Sequence, residues 1–282
     1  MYTLIAENKY GQQLELTHNQ AYSITEIDGI DPPDAVINTT RNANADGSVY
    51  NSSYVNNRTI IITLSINAPA ELNRINLYKY FKVKFPVRLY YQNATRNVYI
   101  NGYVQNVQIA FFNKKQTAQI TVFCPQPLFN DVEESFQEFA NVENLFEFPF
   151  SIEESGIEFS RIELNTEQSI INNGEVDTGV VILLHAIGLV TTPKVYNVDT
   201  GESMILNVTM SDGDDIVINT IRGQKSILMT SGGTTTNIIG NLADGSTWFQ
   251  LIPGDNLFTV TADGMPENMQ VSFTIIDQYE GV

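Results

Sequence analysis

Apolar and polar residues alternate most clearly between residues 58 and 125. Ile60, Ile62, Leu64 and Ile66 share one parity, and the residues between them are mostly threonine, serine and isoleucine. A period of two is typical of a β-strand with one buried face. The same period predicts further strands at residues 87–91, 97–100, 103–111 and 117–124. The last of these strands should turn Ala118, Ile120, Val122 and Cys124 inward.

One helix and one hairpin interrupt this series of strands. Residues 71–81 follow Pro69 and carry Leu72, Ile75 and Tyr78 at a spacing of three, which predicts a short helix. The dipeptide Asn101-Gly102 stands between two strand patterns. Because both residues tolerate positive φ, it predicts a tight hairpin turn.

The second half of the chain has short strand patterns separated by Asn-Gly and Asp-Gly turn signals. Regular short strands without helical windows predict a sandwich or jelly roll. The long apolar run 180–190 predicts a central strand that is buried on both faces. Between the halves, residues 131–146 carry apolar residues at spacings of three and four, which predicts an amphipathic helical connector.

Residues 38–57 differ from the rest of the first half, because asparagine, threonine, serine, aspartate and glycine dominate them. A stretch this long and polar between strands is either a mobile loop or a protruding hairpin that a partner orders. The composition by itself favours the loop.

The net charge of −17 is unevenly distributed along the chain. Residues 1–130 contain 11 basic and 8 acidic residues, whereas residues 131–282 contain 4 basic and 24 acidic residues. This asymmetry indicates two units with different partners. Nucleic acid is not an expected partner, since phosphate binding needs clustered cations. No apolar run has the length of a membrane span, so a membrane is not expected either.

Few residues could carry catalysis. His18 and His185 are the only histidines and Cys124 is the only cysteine, so neither a catalytic triad nor a zinc site has enough members. We expect His185 to be a core residue bonded to a backbone group. The segment 212–215 is expected to be an acidic hairpin turn and not a calcium loop. The sequence therefore predicts no enzyme, no cofactor and no metal.

Trp248 keeps a second class of function open. Carbohydrate-binding sandwiches often stack a sugar ring on an exposed aromatic side chain. A single tryptophan beside Phe249 is more typical of core packing. A carbohydrate-binding module that acts in host adhesion therefore remains an alternative function.

Short motifs in the first half appear in a distinctive order. They are GIDPP at 29–33, DGS at 46–48, NSS at 51–53, LYKYF at 77–81, VRLYY at 87–91, RNVYINGYV at 96–104, KKQTAQI at 114–120 and CPQP at 124–127. In this order they resemble the distal tail proteins of siphophages, the baseplate hub proteins of long-tailed phages. The second half resembles that family in position and character and not by motif.

The resemblance implies a mainly β fold. The N-terminal part would be a β-sandwich or barrel with one short helix, similar to a tail tube protein, and the C-terminal part a galectin-like β-sandwich. Carried onto this sequence, the ring-forming domain is 1–130, the helical connector is 131–147 and the projecting sandwich is 148–282.

The resemblance also implies a hexameric ring at the tip of the virion tail. Family members place an extension against neighbouring subunits, which favours the hairpin interpretation of residues 38–57. The candidate subunit-interface residues are Arg41, Asn42, Ser48, Tyr50, Asn51, Tyr54 and Arg58.

The implied partners are other copies of the chain, the tail tube protein, a tail-associated or baseplate hub protein, and a receptor-binding protein. Assembly is expected in the cytoplasm of the host bacterium. A tail tube protein is the remaining alternative, because it shares the N-terminal fold. The long second domain argues against it, since a tube subunit must stack on copies above and below.

Overall fold

The computed structural model describes residues 2–44, 46–111, 115–139, 141–143, 161–163 and 167–282, the two three-residue segments by their backbone. The chain divides into two units. The first unit comprises Met1–Val132 together with Gln278–Val282, and the second comprises Glu133–Asp277. The last five residues thus belong to the N-terminal unit, and not to the C-terminal sandwich where the sequence prediction placed them.

The first unit is built from β-strands and one α-helix. In chain order its elements are β1 (Thr3–Asn8), β2 (Gln13–Glu15), β3 (Tyr22–Asp28), β4 (Ala35–Thr40), β5 (Val49–Val55), β6 (Arg58–Ile66), α1 (Ala70–Tyr80), β7 (Pro86–Gln92), β8 (Asn97–Ala110), β9 (Gln116–Cys124), β10 (Phe129–Asp131) and, from the C-terminus, β24 (Gln278–Tyr279). Seven strands form an antiparallel sheet in the order β2-β1-β7-β8-β9-β6-β3, and β10 pairs with both β8 and β24. Among the described residues of this unit, strands β4 and β5 pair only with each other.

The core of the first unit confirms the period-two prediction. All four side chains on the predicted inner face of β6, from Ile60 to Ile66, are buried. The same holds for the predicted inner face of β9, from Ala118 to Cys124. Alternation alone identified these faces, because successive strand residues point to opposite sides of a sheet.

The predicted helix is confirmed as α1, but the apolar residues that indicated it do not face the core. Leu72 and Ile75 are 67% and 47% exposed, and Tyr78 is 37% exposed. The buried side of α1 is instead the side of Leu77, and Phe81 is buried just after the helix ends. Helical spacing identifies an apolar stripe, but α1 carries apolar residues on both sides, and the sheet determines which side packs.

The predicted hairpin turn at Asn101-Gly102 is also wrong, since both residues lie inside the continuous strand β8. A Cβ atom on Gly102 would lie 2.5 Å from Val122 Cγ1 and 2.9 Å from Cys124 Sγ. The glycine is therefore required by the close approach of β9 and not by a turn. Asn101 accepts a hydrogen bond from Arg88 Nε at 2.8 Å.

A β-bulge at Gln105 changes which residues of β8 face the core. Strict alternation over 103–111 would place Tyr103 on the same face as Val107 and Ile109. Before the bulge, however, Val104 is buried and Tyr103 is 50% exposed. After it, Val107 and Ile109 pack against the core. The extra residue in a bulge shifts the alternation by one position, so the inner face passes from even to odd residues.

The described part of the second unit has two larger antiparallel sheets. Its strands are β11 (Ser135–Glu138), β12 (Asn141–Glu143), β13 (Arg161–Glu163), β14 (Gln168–Asn172), β15 (Val180–Ala186), β16 (Val190–Asn197), β17 (Ser203–Ile205), β18 (Thr209–Met210), β19 (Asp215–Asn219), β20 (Ser226–Ser231), β21 (Thr234–Asn237), β22 (Gly254–Gly264) and β23 (Met269–Ile275), with 3₁₀ turns at Ile239–Asn241 and Pro266–Asn268. One sheet has the order β11-β23-β15-β19-β20-β21; the other has β14-β22-β16-β17, with β18 also on β16. The short strands β12 and β13 pair with each other.

A shared apolar core joins these two sheets into a sandwich, as the sequence predicted. Phe258 of one sheet and Phe273 of the other have ring centroids 5.3 Å apart. Both side chains are fully buried and belong to one cluster with residues of both sheets. This direct contact between inner faces is the arrangement of a packed β-sandwich.

Two predictions for the second half are wrong. The expected helical connector contains strands β11 and β12, while residues 144–147 lie outside the described residues. Ser135–Glu138 pairs along β23, and this sheet contact prevails over the helical spacing of its apolar residues. Strand β15 is central in its sheet but buried on one face only, and Leu183 is 36% exposed. None of the helices in the described ranges has the length and apolar character that a membrane span requires.

Candidate assembly surface

The hairpin β4–β5 exposes apolar side chains that the rest of the first unit leaves uncovered. It corresponds to the polar segment of the sequence, and every described residue from Ala35 to Asn57 except Val36 is exposed. Its most exposed large apolar residues are Ile37 (63%), Tyr50 (61%), Val49 (54%) and Tyr54 (54%). The structure thus shows a protruding hairpin and not an irregular loop.

Both faces of the hairpin carry these groups. Ile37 and Tyr50 lie on one face, and Val49 and Tyr54 on the other, because a bulge between Asn38 and Thr39 shifts the register. Side-chain hydrogen bonds join the two strands. Asn38 Nδ2 donates to Ser52 Oγ at 3.1 Å, and Asn51 Nδ2 donates to Thr40 Oγ1 at 2.6 Å. An isolated two-stranded hairpin is marginally stable in water, so a hairpin that is apolar on both faces is suited to a partner surface.

Six of the seven predicted interface residues lie on this hairpin. Arg41, Asn42 and Ser48 are exposed in the tip, and Tyr50, Asn51 and Tyr54 are exposed on β5. Ile37 and Val49, which the sequence analysis did not select, are about as exposed as the two tyrosines. Their apolar character within a polar stretch was the available signal.

Arg58 is the exception, and its proposed place in the subunit interface is wrong. Its side chain is buried at 4% exposure within the first unit. Nε donates to Pro127 O at 2.7 Å, and Nη1 donates to Gly29 O and Asp31 O, both at 2.9 Å. Nη2 donates to the carbonyl of Glu280. The guanidinium is thus committed to four backbone carbonyls of its own chain.

These four carbonyls come from segments that are distant in sequence. Gly29 and Asp31 precede the hairpin, Pro127 precedes β10, and Glu280 belongs to the C-terminal tail. The guanidinium also lies 4.7 Å from the centroid of the Phe129 ring. Burial lowers the pKa of Arg58, and the nearby Cys124, Asp31 and Glu280 act in the opposite direction. An arginine remains protonated at any physiological pH, so all of its N–H donors are retained. Its hydrogen bonds to residues 29 and 31 therefore hold the segment from which the hairpin begins.

The outer side of α1 is a second exposed apolar surface of the first unit. Leu72 and Ile75 lie there, and the Arg74 guanidinium lies 5.5 Å from the Tyr78 ring centroid and 5.2 Å from that of Phe111. Phe111 is half exposed. This surface was hidden from sequence analysis because its residues match the pattern of a core-facing stripe.

The residues considered for chemistry are not brought together. His185 is half exposed and its Nδ1 lies 2.7 Å from Asp215 Oδ1, so the expected core histidine with a backbone partner is wrong. Burial raises the pKa of Cys124 to about 12, which keeps its thiol protonated. In the turn 212–215, Asp214 accepts from Ser211 N at 2.8 Å. Within the described ranges, no group of three or more histidine, cysteine, aspartate or glutamate side chains could hold a metal ion.

Trp248 packs partly buried against the core of the second unit. The Lys225 ammonium lies 5.4 Å from the centroid of its ring. A ring that is packed on one side and has a lysine nearby offers little free face for a sugar to stack on. This contact favours core packing, as the sequence analysis expected.

Family comparisons match both units. Residues 9–124 match the phage tail protein RIFT-related domain, and residues 173–275 match the C-terminal domain of the siphovirus-type tail component. A comparison with curated proteins gives no match.

Solved structures share the fold over nearly the whole chain. The Dit protein of phage SPP1, described as a paradigm of the hub adsorption apparatus in phages that infect Gram-positive bacteria, has a TM-score of 0.70 at 12% identity, with 99% of each chain covered. Chains of the phage P2 baseplate in its activated conformation with Ca and with Sr have TM-scores of 0.58 and 0.55 at 14% and 13% identity, with 100% of each chain covered. At identities this low, the structural matches show the fold alone. The two domain matches, in their order along the chain and with this fold, show that the chain belongs to the siphovirus-type tail component family, the distal tail proteins of siphophages.

Proposed function

We propose that this phage tail protein is the hub subunit of the tail tip. Six copies form a ring that joins the tail tube to the baseplate and its receptor-binding apparatus. In this proposal the first unit forms the ring, and the second unit carries baseplate proteins. The role is structural, and we propose no catalytic activity.

The observation that carries this proposal is the exposed hairpin β4–β5. A hairpin that reaches from one subunit to a different surface of the next makes a head-to-tail contact, and such contacts close into a ring when the rotation allows. The candidate interface residues Arg41, Asn42, Ser48, Tyr50, Asn51 and Tyr54 then contact the neighbouring subunit. Arg58 supports the contact indirectly by holding the base of the hairpin.

The charge distribution also supports this division of roles. Residues 1–130 carry 11 basic and 8 acidic residues, so identical copies repel one another little. The remaining residues have 24 acidic against 4 basic groups, and close packing of that half around a ring would be unfavourable. The same half matches a tail-component domain, which disfavours the alternative of a tail tube protein.

Electron microscopy of the purified protein, with its mass measured by light scattering, tests the proposal. We expect six-membered rings with a central opening. A chain that stays monomeric at high concentration, or that forms rings of a different number of subunits, contradicts the hexameric hub.

The triple variant Ile37→Ser, Tyr50→Ser, Tyr54→Ser tests the role of the hairpin. These side chains are exposed in the subunit, so folding should be retained. The protein concentration needed for ring formation should rise at least about tenfold. Tyr10→Ser is the matched control, because Tyr10 is 71% exposed and lies outside the hairpin. Equal assembly of the triple variant and the control would show that the hairpin is not the contact.

A further inference from the structure

Three loops of the second unit cross between its two sheets at the same end of the sandwich. They are residues 187–189 between β15 and β16, residues 211–214 between β18 and β19, and residues 265–268 between β22 and β23, and we call them the crossover loops. Ile187 N donates to Asn268 O at 2.8 Å, and Asn268 Nδ2 donates to Leu189 O at 3.0 Å. Gly213 N donates to Ala186 O at 2.8 Å. The three loops therefore form one connected surface.

This surface exposes large aliphatic side chains at its centre. Leu189 and Met265 are each 54% exposed, and Ile187 is 40% exposed. A Cβ atom at Gly188 would lie 2.7 Å from Asn268 Nδ2, so the loops 187–189 and 265–268 are in close contact. The side chains are thus presented by a packed support, which lowers the entropy lost when a partner covers them.

Acidic residues surround the aliphatic centre. Asp212, Asp263 and Glu267 are exposed on or beside the crossover loops, and Asp215 is partly exposed next to residues 211–214. Lys194 pairs with Asp263. Arg222 and Lys225 come after Asn219, which is at the opposite end of β19 from Asp215 and the crossover loops. Among the described residues, this rim thus has four carboxylates and one lysine, with His185 beside Asp215, and its net charge is negative.

We propose that the crossover loops are a docking site for a basic protein segment. Apolar side chains of that segment cover Ile187, Leu189 and Met265, and its lysine or arginine residues face the acidic rim. Charge complementarity selects this occupant, since an acidic rim repels anionic lipid headgroups and anionic wall polymers. The centre has aliphatic and not aromatic side chains, which is unsuited to stacking on a sugar. The site belongs to the second unit alone and does not rest on ring formation.

Binding of a synthetic amphipathic peptide of leucine and lysine to the full-length protein tests the proposal. Fluorescence anisotropy should show binding that weakens as salt screens the rim. The variant Leu189→Ser, Met265→Ser should bind this peptide about tenfold more weakly, because central apolar anchors dominate such contacts. The variant Asp212→Asn, Glu267→Gln should mainly slow association.

Matched controls separate this site from the general acidity of the unit. Ile252 is 46% exposed and Asp177 is exposed, and both lie near the start of β15, at the other end of the sandwich. Ile252→Ser and Asp177→Asn should leave peptide binding unchanged. A peptide of leucine and glutamate should not bind.

Two results overturn the proposal. Equal peptide binding by Leu189→Ser, Met265→Ser and by Ile252→Ser would show that the aliphatic centre is not an anchor. Self-association of the wild-type protein that disappears in Leu189→Ser, Met265→Ser would show that the occupant is a second copy of the chain. Thermal unfolding of each variant confirms that the fold is retained, and electron microscopy of the same variants reports ring formation separately.

Discussion

At the scale of single residues, Arg58 shows how one buried side chain can join distant parts of a chain. Its guanidinium donates to carbonyls of residues 29, 31, 127 and 280. The five N–H groups of a guanidinium lie in a fixed plane, so they can reach several acceptors at once. No local sequence pattern predicts such a role, because the four acceptors are backbone atoms that only the fold assembles.

Replacing Arg58 by methionine should destabilise the first unit by about 3 kcal/mol, since four carbonyls would lose their donor in a buried place. Arg58→Lys should be milder, at about 2 kcal/mol, because one ammonium keeps the charge but cannot reach all four carbonyls. Chemical denaturation with amide hydrogen exchange in β6 measures the loss. Arg41→Met, at the exposed hairpin tip, is the control and should change stability by less than about 0.5 kcal/mol. Similar values for Arg58→Met and the control would contradict the role of the four bonds.

The buried thiol of Cys124 should make the first unit less stable at alkaline pH. Burial raises its pKa to about 12 in the folded protein, whereas an unfolded thiol ionises near its ordinary pKa of about 8.5. Above that ordinary value the unfolded chain binds fewer protons than the folded one. This contribution to stability is therefore complete below about pH 8.5 and is lost as the pH rises towards about 12, by at most about 1.4 kcal/mol per unit.

The variant Cys124→Ala tests this dependence. It should be less stable than the wild type at neutral pH, because it leaves a small cavity. The stability difference between the two proteins should shrink as the pH rises from about 8.5, and denaturant unfolding at several pH values measures it. A constant difference over that range would mean that the thiol ionises alike in both states.

At the scale of elements, the strand faces of the first unit followed from alternation, and the exceptions have local causes. The Asn-Gly pair in β8 matches a turn motif, yet Gly102 lies where β9 leaves no room for a Cβ atom. The bulge at Gln105 reverses the faces of the same strand. Both features depend on contacts with the neighbouring strand, which the residues of β8 do not encode by themselves.

Gly102→Ala should destabilise the first unit by about 2 kcal/mol, since the added methyl group would overlap Val122 and Cys124 and force the strands apart. Thermal and chemical unfolding measure the effect. Gly240→Ala is the matched control, because a Cβ atom there would have no atom within 4 Å and the backbone needs no positive φ. Comparable stability of both variants would show that β8 and β9 can separate without loss.

At the scale of the whole molecule, the chain returns to its first unit at the C-terminus. Strand β24 pairs with β10, Tyr279 is buried, and Val282 N donates to Ile30 O at 3.2 Å. The chain leaves the first unit after β10 and returns to it at β24, and these two strands pair with each other. The boundary expected from the sequence assigned these residues to the sandwich, because a two-residue strand leaves no periodic pattern.

Ending the chain after Asp277 should therefore destabilise the first unit and not the second, although only C-terminal residues are removed. Loss of the buried Tyr279 alone should reduce stability by about 2 to 3 kcal/mol. Hydrogen exchange resolved by peptide measures both units in the same sample. Faster exchange in β6 and β9 with unchanged exchange in β15 and β23 is the expected result. Equal loss of protection in both units would contradict the division of the chain.

The family resemblance supplied the seven candidate interface residues, six of which are exposed on the hairpin. The sequence by itself determined the mainly β class, the inner faces of β6 and β9 and the sandwich of the second half. These features follow from alternation and composition, which act locally along the chain. The tertiary structure decided which side of α1 is buried, that Gly102 lies within a strand, and that Arg58 is internal. It also decided that the last five residues join the first unit. Each of these depends on groups far apart in sequence, because close packing and the pairing of buried polar groups are determined only when the elements meet.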